Sequence, residues 1–87
     1  AANPVQATGT VEASAFDNPH GIMMLRTDAK TWEVVLAPPS RLRSRGVTPE
    51  MLVAGSTVEA YGYPSRSRDI EMRAEWIKVA GSTYQLR

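Results

Sequence analysis

The chain has 87 residues, 43% of them hydrophobic and 22% charged, which suits one small globular domain and argues against disorder. Ten basic and nine acidic residues give a net charge of +1, without the basic excess that is typical of dedicated nucleic-acid-binding proteins. There is no cysteine, which excludes disulfides and thiolate metal sites. No apolar run approaches the roughly 18 residues that a membrane-spanning helix requires.

The N-terminal segment predicts a flexible lead-in over residues 1–7, followed by the first strand of a single domain that covers residues 8–87. Within residues 8–16, Val11, Ala13 and Ala15 alternate with polar side chains. That period of two is typical of a strand with one buried and one exposed face.

Two more strands are predicted before the middle of the chain. Residues 17–21 combine Asp, Asn, Pro, His and Gly, a composition that favours a turn. Residues 22–26 and 31–36 are apolar or β-branched and are separated by a short polar hairpin turn. On the third strand, Trp32, Val34 and Leu36 are predicted to share one face.

One helix is predicted in the centre of the chain. The prolines Pro38 and Pro39 end the third strand because proline cannot donate to a sheet, and residues 41–46 then form a polar, basic connector. Thr48 suits a helix N-cap, Pro49 suits the first helical position, and Gly55 suits the C-cap of a helix of about two turns.

The C-terminal part predicts strands over residues 57–63 and 70–79 and a short closing strand over 83–86. The adjacent apolar pair Trp76-Ile77 interrupts the alternation and predicts a β-bulge. Five short strands with one helix between the third and fourth match the OB plan. We therefore predict an all-β fold, a small five-stranded closed barrel, in which closure removes exposed sheet edges.

Several short segments, in this order and spacing, resemble the DUF6152 family of exported bacterial proteins. The segments are Asn18-Pro19-His20-Gly21, Trp32-Glu33-Val34, Pro38-Pro39, residues 52–58, Gly62-Tyr63-Pro64-Ser65-Arg66, Met72-Arg73-Ala74-Glu75 and Gly81-Ser82-Thr83-Tyr84. The resemblance covers residues 8–86 and implies an OB-like barrel and a signal peptide. Members carry a His pair near the mature N-terminus, where this chain has Ala1, Ala2 and Asn3.

The N-terminal residues also indicate export from the cytoplasm. Small side chains such as Ala1 and Ala2 are what remains after cleavage at an A-x-A-like signal-peptidase site. Together with the resemblance, they predict a periplasmic location for the mature chain.

The first functional hypothesis is a binding or assembly module that contacts a protein partner, as an accessory subunit of a membrane-associated complex. Arginine and tyrosine are enriched at protein interfaces, and this chain clusters them around its predicted loops. The candidate partner-binding residues are Pro38, Pro39, Arg41, Arg43, Arg45, Tyr61, Tyr63, Arg66 and Arg68.

A soft-metal carrier is the first alternative. The single histidine, His20, is close in sequence to Met23 and Met24, and Trp32 lies on the next strand. An imidazole and thioether sulfurs suit Cu(I) or Ag(I). Adjacent strand residues point to opposite faces, so only one of the two methionines would share a site with His20.

Single-stranded nucleic-acid or oligosaccharide binding is the second alternative. Tyr61, Tyr63 and Trp76 would form an outer aromatic platform on which bases could stack, with loop arginines supplying charge. The near-neutral net charge argues against it. One histidine and no cysteine leave few ways to activate a nucleophile, so no enzymatic activity, catalytic residue or resident cofactor is predicted.

Overall fold

The computed structural model describes residues 3–87, which form six strands, one short α-helix and one 3-10 helix. The strands are β1 (Val5–Ala15), β2 (Ile22–Arg26), β3 (Thr31–Val35), β4 (Thr57–Pro64), β5 (Glu71–Val79) and β6 (Ser82–Gln85). The α-helix is α1 (Pro39–Ser44), and the 3-10 helix covers Pro49–Leu52. No helix within the described residues is long and apolar enough to cross a membrane.

The sheet closes on itself as a barrel. Its strand order is β3-β2-β1-β4-β5-β6, all antiparallel, and β3 also pairs in parallel with the first half of β5. That pairing joins Glu33 to Glu71, Val34 to Met72 and Val35 to Arg73, and it closes strands β1 to β5 into the predicted five-stranded barrel. The second half of β5 pairs with β6, which lies outside the closed ring.

The barrel interior holds the core, and it contains hydrophobic side chains alone among the described residues. On β3, Trp32 and Val34 point inward, and Leu36 follows them, so the predicted shared face is confirmed. The largest fully buried side chains are Met23, Leu25, Leu36, Leu42, Leu52, Met72, Ile77 and Leu86.

Two β-bulges reset which residues face inward. On β1 the register against β2 shifts between Val11 and Ala13, so Val11 is buried while Ala13 and Ala15 are exposed. The expectation that these three share a buried face is therefore wrong, because Glu12 is the extra residue of a bulge. On β5 the register against β4 shifts beside Trp76, at the place where the sequence predicts a bulge.

Gly62 allows the two strands to approach at the second bulge. A Cβ built at Gly62 would overlap the carbonyl oxygen of Arg73, in a space that no side chain can occupy. The absence of a side chain is therefore a condition for closing β4 onto β5 at this point.

The lead-in is shorter than the sequence predicts. β1 begins at Val5, and residues 5–7 pair with Gly62, Tyr61 and Ala60 of β4. Ala7 is buried, so this segment contributes to the core. The expectation of a processed N-terminus concerns Ala1 and Ala2, which lie outside the described residues.

The α-helix lies where the sequence predicts a connector, so that prediction is wrong. Pro39 occupies the first helical turn, where its missing N–H costs nothing, and Leu42 is fully buried beneath it. Gly46 ends the helix with a φ of +87°, and the amide of Val47 donates to the carbonyl of Leu42. Proline near the start and glycine after the end are the ordinary terminal signals of a helix.

The predicted central helix is only one turn of 3-10 helix, over Pro49–Leu52. Leu52 is its one buried residue, and Val53 is already extended. The Ser14 hydroxyl donates to the Leu52 carbonyl at 2.9 Å, which attaches this turn to the end of β1. A segment with a single buried anchor does not gain enough from packing to extend a helix further.

Candidate ligand-binding groove

A groove of about 740 Å³ opens on the outer face of β2 and β3, between the β1–β2 loop (residues 16–21) and the β4–β5 loop (residues 65–70). This is the face, framed by the same two loops, on which OB folds bind oligomeric ligands. Its walls and floor are formed by Ala15, Asp17, Asn18, Pro19, His20, Ile22, Glu33, Val35, Tyr63, Pro64, Ser65, Glu71 and Arg73.

The floor of the groove carries two carboxylates that share one guanidinium. Glu33 on β3 and Glu71 on β5 are register neighbours, because β3 and β5 pair there. Arg68, in the β4–β5 loop, donates to both oxygens of Glu33 at 3.1 Å and to Glu71 at 2.9 Å. Hydrogen bonding to Glu33 and its charge raise the pKa of Arg68. The loop is thereby fastened to the barrel wall through a cation.

Tyr63 forms the apolar side of the groove and begins a row of three aromatic rings. It meets Tyr61 edge-to-face with centroids 6.4 Å apart, and Tyr61 stacks on Trp76 at 5.3 Å with 4° between the ring planes. The predicted outer aromatic cluster exists, but its rings cover one another. One face of Tyr61 is already occupied by Trp76, so the row offers fewer free faces for stacking bases than its composition implies.

The surroundings of Tyr63 oppose its ionisation at alkaline pH. Interaction with Tyr61, followed by burial, raises the pKa of Tyr63 above its ordinary value of 10.0. At neutral pH a tyrosine is protonated with or without this shift, so its hydroxyl can donate a hydrogen bond at the rim of the groove.

The residues proposed as metal ligands occupy different environments. His20 is half-buried and borders the groove. Met23 is fully buried inside the barrel, Met24 is half-exposed outside it, and Trp32 points into the barrel end, where Lys30 lies 3.8 Å over its ring. Within residues 3–87 no group of three His, Asp or Glu side chains is arranged to hold a metal. The soft-metal hypothesis stays a prediction.

The predicted partner-binding residues divide into two groups. Tyr63 lines the groove, and Arg66 and Arg68 belong to the loop beside it. Arg41, Arg43 and Arg45 are exposed on α1 and at its C-cap, outside the groove. Pro38 is half-exposed, whereas Pro39, the first residue of α1, is buried.

Sequence reasoning missed the charged groove residues Asp17, Glu33, Glu71 and Arg73. Glu71 pairs with Arg68 of the β4–β5 loop, and Glu75, on the same strand, lies 3.9 Å from Arg87. The bulge at Glu75 interrupts the alternation of β5, so the spacing of these charges along the strand does not show which of them meet. The available signal was charge at strand positions that face away from the core.

The comparisons with known proteins identify a fold. No family model and no curated protein match the chain. Among solved structures, a ZRD-deleted mutant of TiaS in complex with agmatine aligns with a TM-score of 0.72 and 18% identity, over 97% of this chain and 26% of that one. A complex of TiaS with a tRNA and ATP aligns with a TM-score of 0.69 and 18% identity, over 91% of this chain and 18% of that one. The chain thus spans about a quarter of TiaS or less, and the likeness concerns the barrel alone.

Proposed function

We propose that this chain is a binding module without catalytic activity that holds an extended segment of a protein partner in the groove between the β1–β2 and β4–β5 loops. The observation that carries the proposal is the composition of the groove, which combines apolar walls with a carboxylate floor. Grooves of this kind bind ligands by apolar contact and use a few placed polar groups for specificity.

The charge of the groove favours a peptide over a polyanion. Its lining includes the acidic residues Asp17, Glu33 and Glu71 and one basic residue, Arg73. Nucleic acid binds to grooves lined by Lys and Arg, because the phosphates must be neutralised. Arg68 binds Glu33 and Glu71, but the groove still carries three carboxylates against the two guanidiniums of Arg68 and Arg73, a balance that does not favour a phosphate backbone.

Arg68 indicates which side chain of a partner the floor would accept. The guanidinium of Arg68 satisfies Glu33 and Glu71 together. A partner lysine or arginine could take up the same carboxylates, while its apolar neighbours pack on Ile22, Val35 and Tyr63. The proposed ligand is therefore a segment with a basic residue beside apolar ones.

We further propose that this binding takes place in the periplasm, within a membrane-associated complex. The resemblance to an exported family supports the compartment. Fractionation of the producing cells tests it, and recovery of the chain in the cytoplasmic fraction would refute it.

A peptide library displayed on phage and selected on the immobilised chain tests the groove. We expect the enriched peptides to combine Lys or Arg with apolar residues. Val35→Lys, in the groove wall, should abolish their binding, because it removes an apolar contact and adds a repelling charge.

The matched control is Val53→Lys, since Val53 is 53% exposed and lies outside the groove. It should bind the same peptides as the unmodified chain. Enrichment without basic residues, or equal binding to the Val35 variant, would contradict the proposal.

A further inference from the structure

A second charged surface, the arginine cluster, lies beside the groove and consists of Arg41 on α1, Arg73 on β5 and Arg87 after β6. The Nη1 group of Arg41 donates to the carbonyl of Leu86 at 3.4 Å. The Nη2 group of Arg87 donates to the carbonyl of Leu36 at 2.8 Å. Two guanidiniums are thus positioned by neutral backbone oxygens, so their orientation is set while their charge is not neutralised.

Glu75 is the one carboxylate paired with this cluster among the described residues, and its Oε2 atom lies 3.9 Å from the Nε of Arg87. The Nε–H of Arg87 is buried and finds no acceptor within residues 3–87. Burial and the charges of Arg73 and Arg41 lower the pKa of Arg87, with Glu75 opposing them. Arg73 pairs in register with Val35, and Arg87 bonds the carbonyl of the next residue, Leu36, so the geometry also places these two arginines near each other.

We propose that Arg41, Arg73 and Arg87 form a binding site for a phosphate group. Three guanidiniums and one carboxylate leave a local charge of about +2, which a phosphate monoester dianion would balance and a single carboxylate would not. Guanidinium forks match phosphate oxygens in pairs. The phosphate would belong to a soluble compound or to a lipid headgroup, and the chemistry at the site is the same for both.

This site is independent of the peptide proposal, although Arg73 borders both surfaces. The groove is acidic and the arginine cluster is basic, so each could be occupied while the other is empty. Arg41→Gln should weaken phosphate binding and leave peptide binding unchanged, because Arg41 lies outside the groove, which keeps the two proposals separable.

Thermal unfolding in increasing inorganic phosphate, against sodium chloride at matched ionic strength, tests the site. We expect a saturable rise in Tm with phosphate alone. Arg73→Gln and Arg41→Gln should each weaken phosphate binding by about tenfold or more, since a charge-assisted hydrogen bond contributes about 1.5–3 kcal/mol. Arg43→Gln is the control, because Arg43 is equally exposed on α1 and is not among the charges that perturb Arg87.

Cosedimentation with phosphatidylcholine vesicles, with and without phosphatidic acid, separates the two sources of phosphate. Binding that requires phosphatidic acid, and that is lost in the Arg41 and Arg73 variants, assigns the site to a lipid headgroup. Phosphate stabilisation without cosedimentation assigns it to a soluble phosphate compound. A Tm that rises equally in chloride, or an Arg43 variant that loses binding as much as the Arg73 variant does, would overturn the proposal.

Discussion

Arg68 and Arg87 each approach a carboxylate of β5, yet their surroundings differ. Arg68 meets two carboxylates, Glu33 and Glu71, at 2.9–3.1 Å, and its pKa is raised. Arg87 has Glu75 alone at 3.9 Å, with two further arginines nearby, and its pKa is lowered. The groove therefore has more acid than base, and the arginine cluster has more base than acid.

The comparison shows how a nearly neutral chain can present two surfaces of opposite sign. A net charge of +1 averages over them, and it predicts no chain-wide polyanion interface. The net charge neither predicts nor excludes a local phosphate site, because binding depends on the charges within a few ångströms and solvent screens the others.

The largest expected effect comes from Gly62→Ala, which would disturb both surfaces together. The new Cβ would meet the carbonyl of Arg73, whose side chain borders the groove and belongs to the arginine cluster. We expect a loss of about 3 kcal/mol or more in the free energy of unfolding, at the upper end of overpacking effects. Urea denaturation followed by circular dichroism measures it.

Gly55→Ala is the control for that substitution. Gly55, unlike Gly62, has a positive φ, of +95°, and nothing lies within 4 Å of its added Cβ. It should lose only about 1–2 kcal/mol, from left-handed backbone strain. Equal losses at the two glycines would show that the close approach of β4 and β5 is unimportant.

Arg68→Ala should loosen the groove and leave the arginine cluster intact. Without the guanidinium, Glu33 and Glu71 repel each other, and the β4–β5 loop loses its side-chain bonds to β3 while the backbone bond from the Glu33 amide to the Ile70 carbonyl remains. Amide hydrogen exchange should accelerate in residues 65–70 and stay unchanged on α1. Arg66→Ala, in the same loop, is the control, and an unchanged exchange rate in the Arg68 variant would show that the bridge does not hold the loop.

Arg73→Gln should slightly stabilise the chain, the opposite of the usual result of removing a charge. Arg73 lowers the pKa of Arg87, so the protonated Arg87 carries a penalty at neutral pH that this substitution reduces. Because solvent screens exposed charges, we expect a gain of only about 0.2–1 kcal/mol. Thermal unfolding at low salt measures it, and a gain that persists at high salt would point to a non-electrostatic cause.

The smallest expected effect is the alkaline titration of Tyr63. Its folded-state pKa is raised above 10.0, so its contribution to stability is fully present below pH 10 and is lost as the pH rises through the folded-state pKa. Ultraviolet absorbance should show one tyrosine ionising later in the folded chain than in urea. Tyr63→Phe should remove that late component, and Tyr84→Phe should retain it.

Local patterns determined most of the fold. The alternation at Trp32 and Val34 predicts a strand, the composition of residues 17–21 predicts a turn, and the apolar pair at Trp76 predicts a bulge. Each of these features depends on residues that are near neighbours in the chain. The same patterns failed at Ala13 and at α1. The bulge depends on one inserted residue, and the six-residue α1 depends on the burial of Pro39 and Leu42, which only the packing of the folded barrel reveals.

The pairing of charges was decided only by the tertiary structure. The charged residues are separated along the chain, so their spacing does not show which of them pair; they are Glu33, Glu71, Arg41, Arg73 and Arg87. The parallel contact of β3 with β5 sets the two glutamates side by side, and the fold brings Arg41 and Arg73 close enough to perturb Arg87. Electrostatic energy depends on distance in space, so a linear pattern determines which charges are present and the closed barrel determines which of them meet.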